Sequence, residues 1–487
     1  MSEPESQSDQ LASENSGEKH ALSPFTRDFW RLFCALTLAL VSSSFMNVSV
    51  FPLFDHVFTH ARDISVLANA TTLLAIGLIA TFKPAFLHVG RLNVVMLSLL
   101  FTGCIILPAA LALKLPLALT IGASALAIGR AWCVLVAGIA CSKLSREQTY
   151  LLVVFAFVLQ CVASTYAWIV PIWLGILLFL VIPWGAWALS WPDAKPILEN
   201  AEKSDAPSDF SITQPSSFLP LASQLFVCLF LFHVAFGCSL RFGEVEGVPL
   251  SSFAIVIPIT LIAAIALYFQ SKGKRFPTDI AVQVSVLLVV GGFSAMNIHL
   301  AHANDVAVVL LSCGNTLFDM IAWMVLIAMA SRNSRGAVAA LAWGRGVSGL
   351  GTTLGAAIGV QANTLPNGQT ELLGLFGAVL VLVFVGYALI GLKNFSFRAA
   401  IDGITPVADI AAEAPQKTFD ERCTEIAATY NLTPRELEVF QMLARGRDAA
   451  YIQEQLVVSR NTVKAHVKHI YAKLGIHSHQ DLIDLVE

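Results

Sequence analysis

Twelve apolar runs fill most of the chain between residues 29 and 391. Each approaches the roughly 20 residues a helix needs to cross a hydrocarbon core. Their limits are 29–52, 65–82, 92–113, 117–141, 149–170, 172–190, 219–240, 250–270, 278–296, 306–330, 336–360 and 371–391. Pro171 alone separates the fifth from the sixth. Inside lipid no water satisfies backbone N–H and C=O groups, so such runs must be helices packed on one another. The expected fold is therefore all-α, a polytopic membrane helical bundle. Composition agrees: 56% of residues are hydrophobic and 13% charged, where a soluble domain carries about 25% charged residues.

The remaining charge is unevenly placed. Residues 1–28 are polar and acidic, with neither the basic start nor the short apolar core of a secretion signal. They read as a disordered cytosolic lead-in. With the N-terminus inside, the inner loops hold Lys83, Arg91, Lys143, Arg146, Lys195, Lys203, Lys272, Lys274, Arg275, Arg332 and Arg335, eleven cations. The outer loops hold three, Arg62, Lys114 and Arg241. The excess of Lys and Arg marks the cytosolic side, and an even number of spans returns the C-terminus to it. The expected location is a bacterial inner membrane, in contact with lipid, with both termini cytosolic.

The longest internal loop, residues 191–218, begins WPDAKPILENAEKSDAPSDF and divides the bundle into halves 29–190 and 219–391. A polar loop between two six-span halves is the layout of a pseudo-symmetric transporter bundle. In this architecture residues 29–391 resemble the major facilitator superfamily. That family carries a Gly-x-x-x-Asp-Arg-x-Gly-Arg loop after its second span. The matching stretch here, KPAFLHVGR, keeps Gly90 and Arg91 and has no Asp, which argues against active transport.

Composition changes after Leu392. Residues 392–422 read as a linker of scattered acids with Pro406 and Pro415, and residues 423–487 as a compact domain. In LTPRELEVFQMLARG, Thr433, Pro434 and Glu436 form the start of a capping box. Leu437, Phe440, Leu443 and Ala444 recur at helical spacing up to Gly446. A short helix over 449–456 and a turn at 457–459 follow. SRNTVKAHVKHIYAKLG then reads as a third helix, capped by Ser459 and stopped by Gly475. Ser478 caps a fourth helix that ends in DLIDLV. Val463, Val467, Ile470, Tyr471 and Leu474 make an apolar stripe on the third helix, and no acid lies between Ser459 and Gly475. Two short helices, a turn and a longer basic helix are the helix-turn-helix arrangement, whose second helix enters the major groove of double-stranded DNA.

The order LTPRE, a small-residue turn, then NTVKAHVKHIYAKLG closely resembles the LuxR-type (GerE) DNA-binding domain. The resemblance implies that Lys464, Ala465 and Lys468 reach base edges. Asn461, Thr462 and the helix N-terminus would bind phosphate, with Arg460, His466 and Lys473 adding to the same basic surface. Ala465 can at most pack on a thymine methyl. From Asp420 to Glu487 there are eight Lys/Arg against ten Asp/Glu, so nonspecific DNA affinity is modest and binding as a homodimer is expected. In the family the fourth helix commonly makes that contact, here through Leu482, Ile483, Leu485 and Val486, although some of these must close the core of one copy.

LuxR-type domains usually follow a receiver or ligand-binding domain, and this chain has no soluble segment large enough for either. The input is expected in the bundle, where mid-span charge is costly. Candidate ligand-binding residues are Arg130, His233, Asp319 and Arg345, with Trp132 and Trp323 near them. Trp323 lies four residues after Asp319, on the same helical face. An Arg–Asp pair locking the two halves together is the structural alternative. The resemblance extends to the transporter-like, membrane-bound LuxR regulators of gut actinobacteria. It implies a small-molecule inducer, aromatic in some such regulators, and control of a nearby metabolic or transport gene. An active transporter carrying a regulatory domain is the alternative function. Paired carboxylates, His/Cys ligand spacing and Gly-rich phosphate loops are absent from the sequence, so no enzyme, metal or cofactor is expected.

Overall fold

The computed structural model describes residues 25–203, 224–241, 278–295, 303–332, 336–364, 370–390, 419–444, 449–456, 458–476 and 482. Two compact units divide the chain, residues 1–407 and 408–487.

The first unit contains α1 (Arg27–Phe45), α2 (His60–Phe82), α3 (Val89–Leu113), α4 (Pro116–Cys141), α5 (Arg146–Tyr166) and α6 (Ile172–Glu202). It continues with α7 (Gln224–Arg241), α8 (Thr278–Ala295), α9 (Ala303–Arg332), α10 (Ala337–Thr364) and α11 (Thr370–Ile390). These helices overlap eleven of the twelve expected runs, and among the described residues eight are long and apolar enough to cross a membrane. The eighth expected run, over 250–270, lies outside the described residues. Pro171 is the N-cap of α6 and separates it from α5.

Three boundaries differ from the sequence expectation. Helix α6 runs on to Glu202, so residues 191–202 are not loop. Pro192 and Pro196 each remove one backbone hydrogen bond, yet the segment is held from outside. Asp193 takes Arg31 at 2.5 Å and Lys143 at 2.9 Å, while Ala194, Leu198 and Ala201 are buried. Residues 204–218 of the expected loop lie outside the described residues. Helix α2 starts at His60, not residue 65, which puts Arg62 in its first turn and buries it. Arg241 is the last residue of α7 and is also buried. Arg62 and Arg241, expected as loop cations, are therefore built into the bundle.

Two local breaks shape α1 and the α2–α3 turn. Beyond Phe45 the chain forms a π-helical turn, Met46–Val50, and a last short turn, Phe51–Phe54. Pro52 has no N–H to continue the α-helical ladder, and π-turns of this kind are frequent at functional sites. Between α2 and α3, His88 adopts a left-handed backbone with φ 39°. Glu202 at the end of α6 accepts the Val89 N–H at 3.0 Å.

Helix α10 packs on α2 and on α7. Gly349 permits the first approach, since a Cβ there would sit 2.7 Å from the Ala70 Cβ. Small residues bring helices together in lipid in this way. Nearer the N-terminal end of α10, Trp343 donates to Thr81 Oγ1 of α2 at 3.0 Å, a bond buried between the halves. Below mid-bundle the two halves share one apolar core, including Leu135 and Ile139 of α4, Trp323 and Leu326 of α9 and Leu341 of α10.

The second unit holds α12 (Phe419–Thr429), α13 (Pro434–Ala444), α14 (Ala449–Leu456) and α15 (Arg460–Leu474). Helix α12 starts inside the expected linker, and its buried Cys423 joins the core with Val439, Phe440, Ile452, Val463 and Ile470. The capping box forms as the sequence predicts: Thr433 N–H donates to Glu436 Oε2 at 2.7 Å, and Glu436 N–H to Thr433 Oγ1 at 3.3 Å. Gly446 and Val457 lie outside the described residues.

Candidate functional site

A cavity of about 300 Å³ lies inside the first unit, lined from both halves of the bundle. Its walls are the later part of α1 with the π-turn, the start of α2, the middle of α4, the end of α5, the later part of α7, α9 above Asp319, and α10 beyond Ser348. Every one of these stretches falls in the half of the bundle away from the N-terminus, above the shared apolar core. The π-turn contributes Met46, Asn47 and Val48 directly to the wall.

The lining is mixed. Ser43, Ser44, Asn69, Gln160, Thr316 and Thr353 supply hydroxyls and amides, while Phe51, Val66, Trp168, Phe236 and Leu240 supply apolar surface. Ser44 and Ser164 share a hydrogen bond of 2.5 Å. The Arg62 guanidinium stacks over the Phe51 ring at 4.9 Å. This mixture is typical of a small-molecule pocket, at the small end of the size range.

Of the six candidate ligand residues, only Arg130 lines the cavity. It is 8% exposed. Nη1 donates to Ser43 Oγ at 3.0 Å, and Nε is buried without a hydrogen-bond partner. No carboxylate pairs with it among the described residues.

The other five are committed elsewhere. Arg345 Nη1 donates to Asp319 Oδ1 at 2.6 Å, and the same oxygen lies 3.5 Å from His233 Nε2. His233 Nδ1 is 2.8 Å from the Leu229 carbonyl. The Arg345 guanidinium also covers the Trp323 ring at 4.8 Å. This cluster joins α7, α9 and α10, all in the second half, so the Arg–Asp pair does not lock the two halves together as the alternative reading expected. Trp132 is fully buried, and its indole donates to Asn93 Oδ1 at 2.9 Å, an acceptor shared with Trp187 at 3.1 Å. Sequence reading sought charge at mid-span and so missed the cavity's serines, threonines and amides. These residues are common in helices and carry no spacing signal.

The second unit presents its own surface. Ser459 caps α15 by accepting Thr462 N–H at 3.2 Å, and Gly475 closes the helix in the left-handed region at φ 70°. Val463, Ile470 and Leu474 point into the core, which turns Asn461, Lys464, Ala465 and Lys468 outward, all exposed. Residues 461, 464, 465 and 468 follow the i, i+3, i+4, i+7 spacing of one helical face. Thr462 is exposed, and its hydroxyl shares a 2.8 Å bond with Ser459. His466 is half-buried. The Arg460 side chain lies outside the described residues.

Lys473 departs from the expected DNA surface. Its ammonium bonds Glu436 Oε2 at 2.7 Å and the Asn431 carbonyl at 2.9 Å. It therefore ties α15 to the start of α13. Lys473, together with the N–H and hydroxyl of Thr433, holds the buried Glu436 carboxyl down at about 2. Leu482, expected to help form a dimer contact, is fully buried in this copy's own core. Ile483, Leu485 and Val486 lie outside the described residues.

Residues 430–486 match the family described as "Bacterial regulatory proteins, luxR family". Curated relatives share this segment. The Fimbriae Z protein of Salmonella typhimurium is 45% identical over 53 residues, 11% of this chain and 25% of that protein. The Oxygen regulatory protein NreC of Staphylococcus aureus is 43% identical over 53 residues, 11% of this chain and 24% of that protein. A Mycobacterium tuberculosis protein described as an HTH-type transcriptional regulator is 34% identical over 87 residues, 18% of this chain. The chain spans 10% of the length of that mycobacterial relative. Among solved structures, an auto-inhibited POT family peptide transporter gives a TM-score of 0.47 at 11% identity, over 76% of this chain and 98% of that one. The human organic anion transporter MFSD10 gives 0.46 at 13% identity, over 74% of this chain and 99% of that one. At these scores neither structure bears on function. The C-terminal segment is thus a luxR-type helix-turn-helix domain, joined in one chain to a polytopic membrane bundle.

Proposed function

We propose that the chain is a membrane-bound, one-component transcriptional regulator. A small molecule held in the bundle controls DNA binding by the C-terminal domain and, through it, expression of a nearby metabolic or transport gene. One observation carries this reading: Lys464, Ala465 and Lys468 stand exposed on one face of a helix whose opposite face, cap and stop are all engaged in a helix-turn-helix core. That helix shares its chain with a bundle that contains a mixed polar and apolar cavity. Asn461 and Thr462, at the N-terminus of α15, suit phosphate. Binding as a homodimer through the segment after Gly475 fits a domain with eight Lys/Arg against ten Asp/Glu, whose nonspecific DNA affinity is modest. The bundle sits in a bacterial inner membrane with both termini cytosolic. The sequence's cation count supports this, as does the incorporation of Arg62 and Arg241 into helices, which leaves the outer side with fewer loop cations.

A ligand shifts such a switch only by binding its two states with different affinity. The test is genome-wide crosslinking of the native protein to DNA, compared with a Lys464→Ala/Lys468→Ala variant. Discrete peaks that vanish in the variant are expected. Equal occupancy in both, or no discrete peaks in either, refutes DNA reading by α15.

A further inference from the structure

We infer that the cavity is built for a small molecule that carries one carboxylate on an apolar or aromatic body, and that Arg130 receives the carboxylate. The inference rests on the sensing role proposed above and adds the ligand class. Arg130, which is buried, and Arg345, which is half-buried, both sit mid-bundle, and the structure treats them differently. Arg345 is neutralised by Asp319 at 2.6 Å. Arg130 is 92% buried by difference from its 8% exposure, lines the cavity wall and has no carboxylate partner among the described residues. Among the described residues its guanidinium bonds a neutral hydroxyl, Ser43, and its Nε has no partner.

A guanidinium in a low-dielectric wall is costly unless an anion meets it. The five donors of the group form a planar fork that matches a carboxylate in two-point contact. Asp63, at the start of α2, lines the same wall and makes no ion pair with Arg130 among the described residues. The rest of the lining dictates the remainder of the molecule. Phe51, Trp168 and Phe236 offer aromatic surface, and a volume of about 300 Å³ admits a single ring with a short chain.

The test uses the full-length protein in detergent with benzoate, phenylacetate, 3-phenylpropionate and 4-phenylbutyrate, each set against its primary amide. Binding is read by thermal unfolding and by tryptophan fluorescence. At least one acid is expected to saturate the protein and raise its Tm while the amide of the same length does not. Loss of a charge-assisted contact is worth roughly 10- to 100-fold in affinity. Arg130→Gln should weaken that acid by about that factor, and Arg130→Lys by less. Three outcomes overturn the inference: no acid binds folded wild-type protein, acid and amide bind equally, or Arg130→Gln binds the acid unchanged. The Lys464→Ala/Lys468→Ala variant should bind the acid as wild type does. Acid binding with no DNA occupancy would refute the regulator and leave the ligand class standing. DNA occupancy that answers only to uncharged or cationic molecules would do the reverse.

Discussion

The cavity wall around Arg130 and the cluster beneath it around Asp319 bury the same kind of charge at neighbouring levels of one bundle. In the lower cluster Arg345 and His233 both meet Asp319 across α7, α9 and α10, and the Arg345 guanidinium covers the Trp323 ring. In the upper wall Arg130 bonds the Ser43 hydroxyl and has no carboxylate partner among the described residues. Mid-span charge alone therefore does not mark a binding site. A charge with its counter-ion is part of the scaffold, and we assign the charge without one to a ligand. The largest test of this contrast is on stability. Asp319→Asn strands Arg345 and should cost about 3–5 kcal/mol, the usual penalty for breaking a buried pair. Arg130→Gln removes a charge that has no partner and should change stability by less than about 1 kcal/mol, in either direction. Thermal unfolding of both variants in detergent measures this, and equal losses would erase the distinction between scaffold and site.

The next test asks whether the lower cluster acts as one unit. Asp319→Asn/Arg345→Met removes both charges and fills much the same volume. It should recover about 2 kcal/mol of the single-mutant loss, since contacting partners are not additive. A double variant no more stable than Asp319→Asn would place the cost in packing rather than in the unpaired charge.

Much of this arrangement was legible in the sequence, and the failures have a common cause. Apolar run length located the described spans because lipid leaves the backbone no alternative to a helix. The tail was legible almost residue by residue, because Thr433, Glu436, Ser459 and Gly475 are local signals whose partners lie within four positions. What escaped depends on partners far along the chain. Asp193 looked like a loop acid until Arg31 and Lys143 came to it. Asp319 could have paired with either arginine, and only the packing of α9 on α10 chose Arg345. Lys473 looked like a DNA contact because the carboxylate that claims it, Glu436, stands 37 residues away. The cavity's serines and threonines had no signal at all, since such residues also bond their own helix carbonyls, as Thr72 and Thr81 do here.

The Glu436–Lys473 pair carries the same scaffold logic into the second unit at lower stakes, because Lys473 is one-third exposed. Glu436→Gln should cost about 1–2 kcal/mol, discounted for that exposure. The pH dependence has a definite sign. The folded carboxyl titrates near 2 and the free one near 4.5. Its stabilisation is therefore complete above pH 4.5, shrinks as pH falls toward 2 and is gone below that. Hydrogen exchange of α13 and α15 amides, corrected for intrinsic rate, should show this acid weakening in the wild type and less of it in Glu436→Gln. Identical acid profiles would remove the pair from the domain's stability.

The smallest stability effect should come from the residues given the largest functional one. Lys464 and Lys468 project from α15 without an ion pair among the described residues, so replacing both with Ala should move the domain's stability by less than about 0.5 kcal/mol. The same change should cost about 1–3 kcal/mol of DNA affinity for each contact that reads a base. Lys473→Met should do the opposite, weakening the fold while leaving the affinity of the folded protein nearly unchanged. Three lysines on one basic helix would then divide as the two arginines of the bundle do, by whether the chain already supplies their counter-charge. Lys464→Ala/Lys468→Ala and Lys473→Met that weaken DNA binding equally at matched folded fraction would show that α15 acts as a diffuse basic surface. In that case the outward face of Lys464, Ala465 and Lys468 would carry no particular register on DNA.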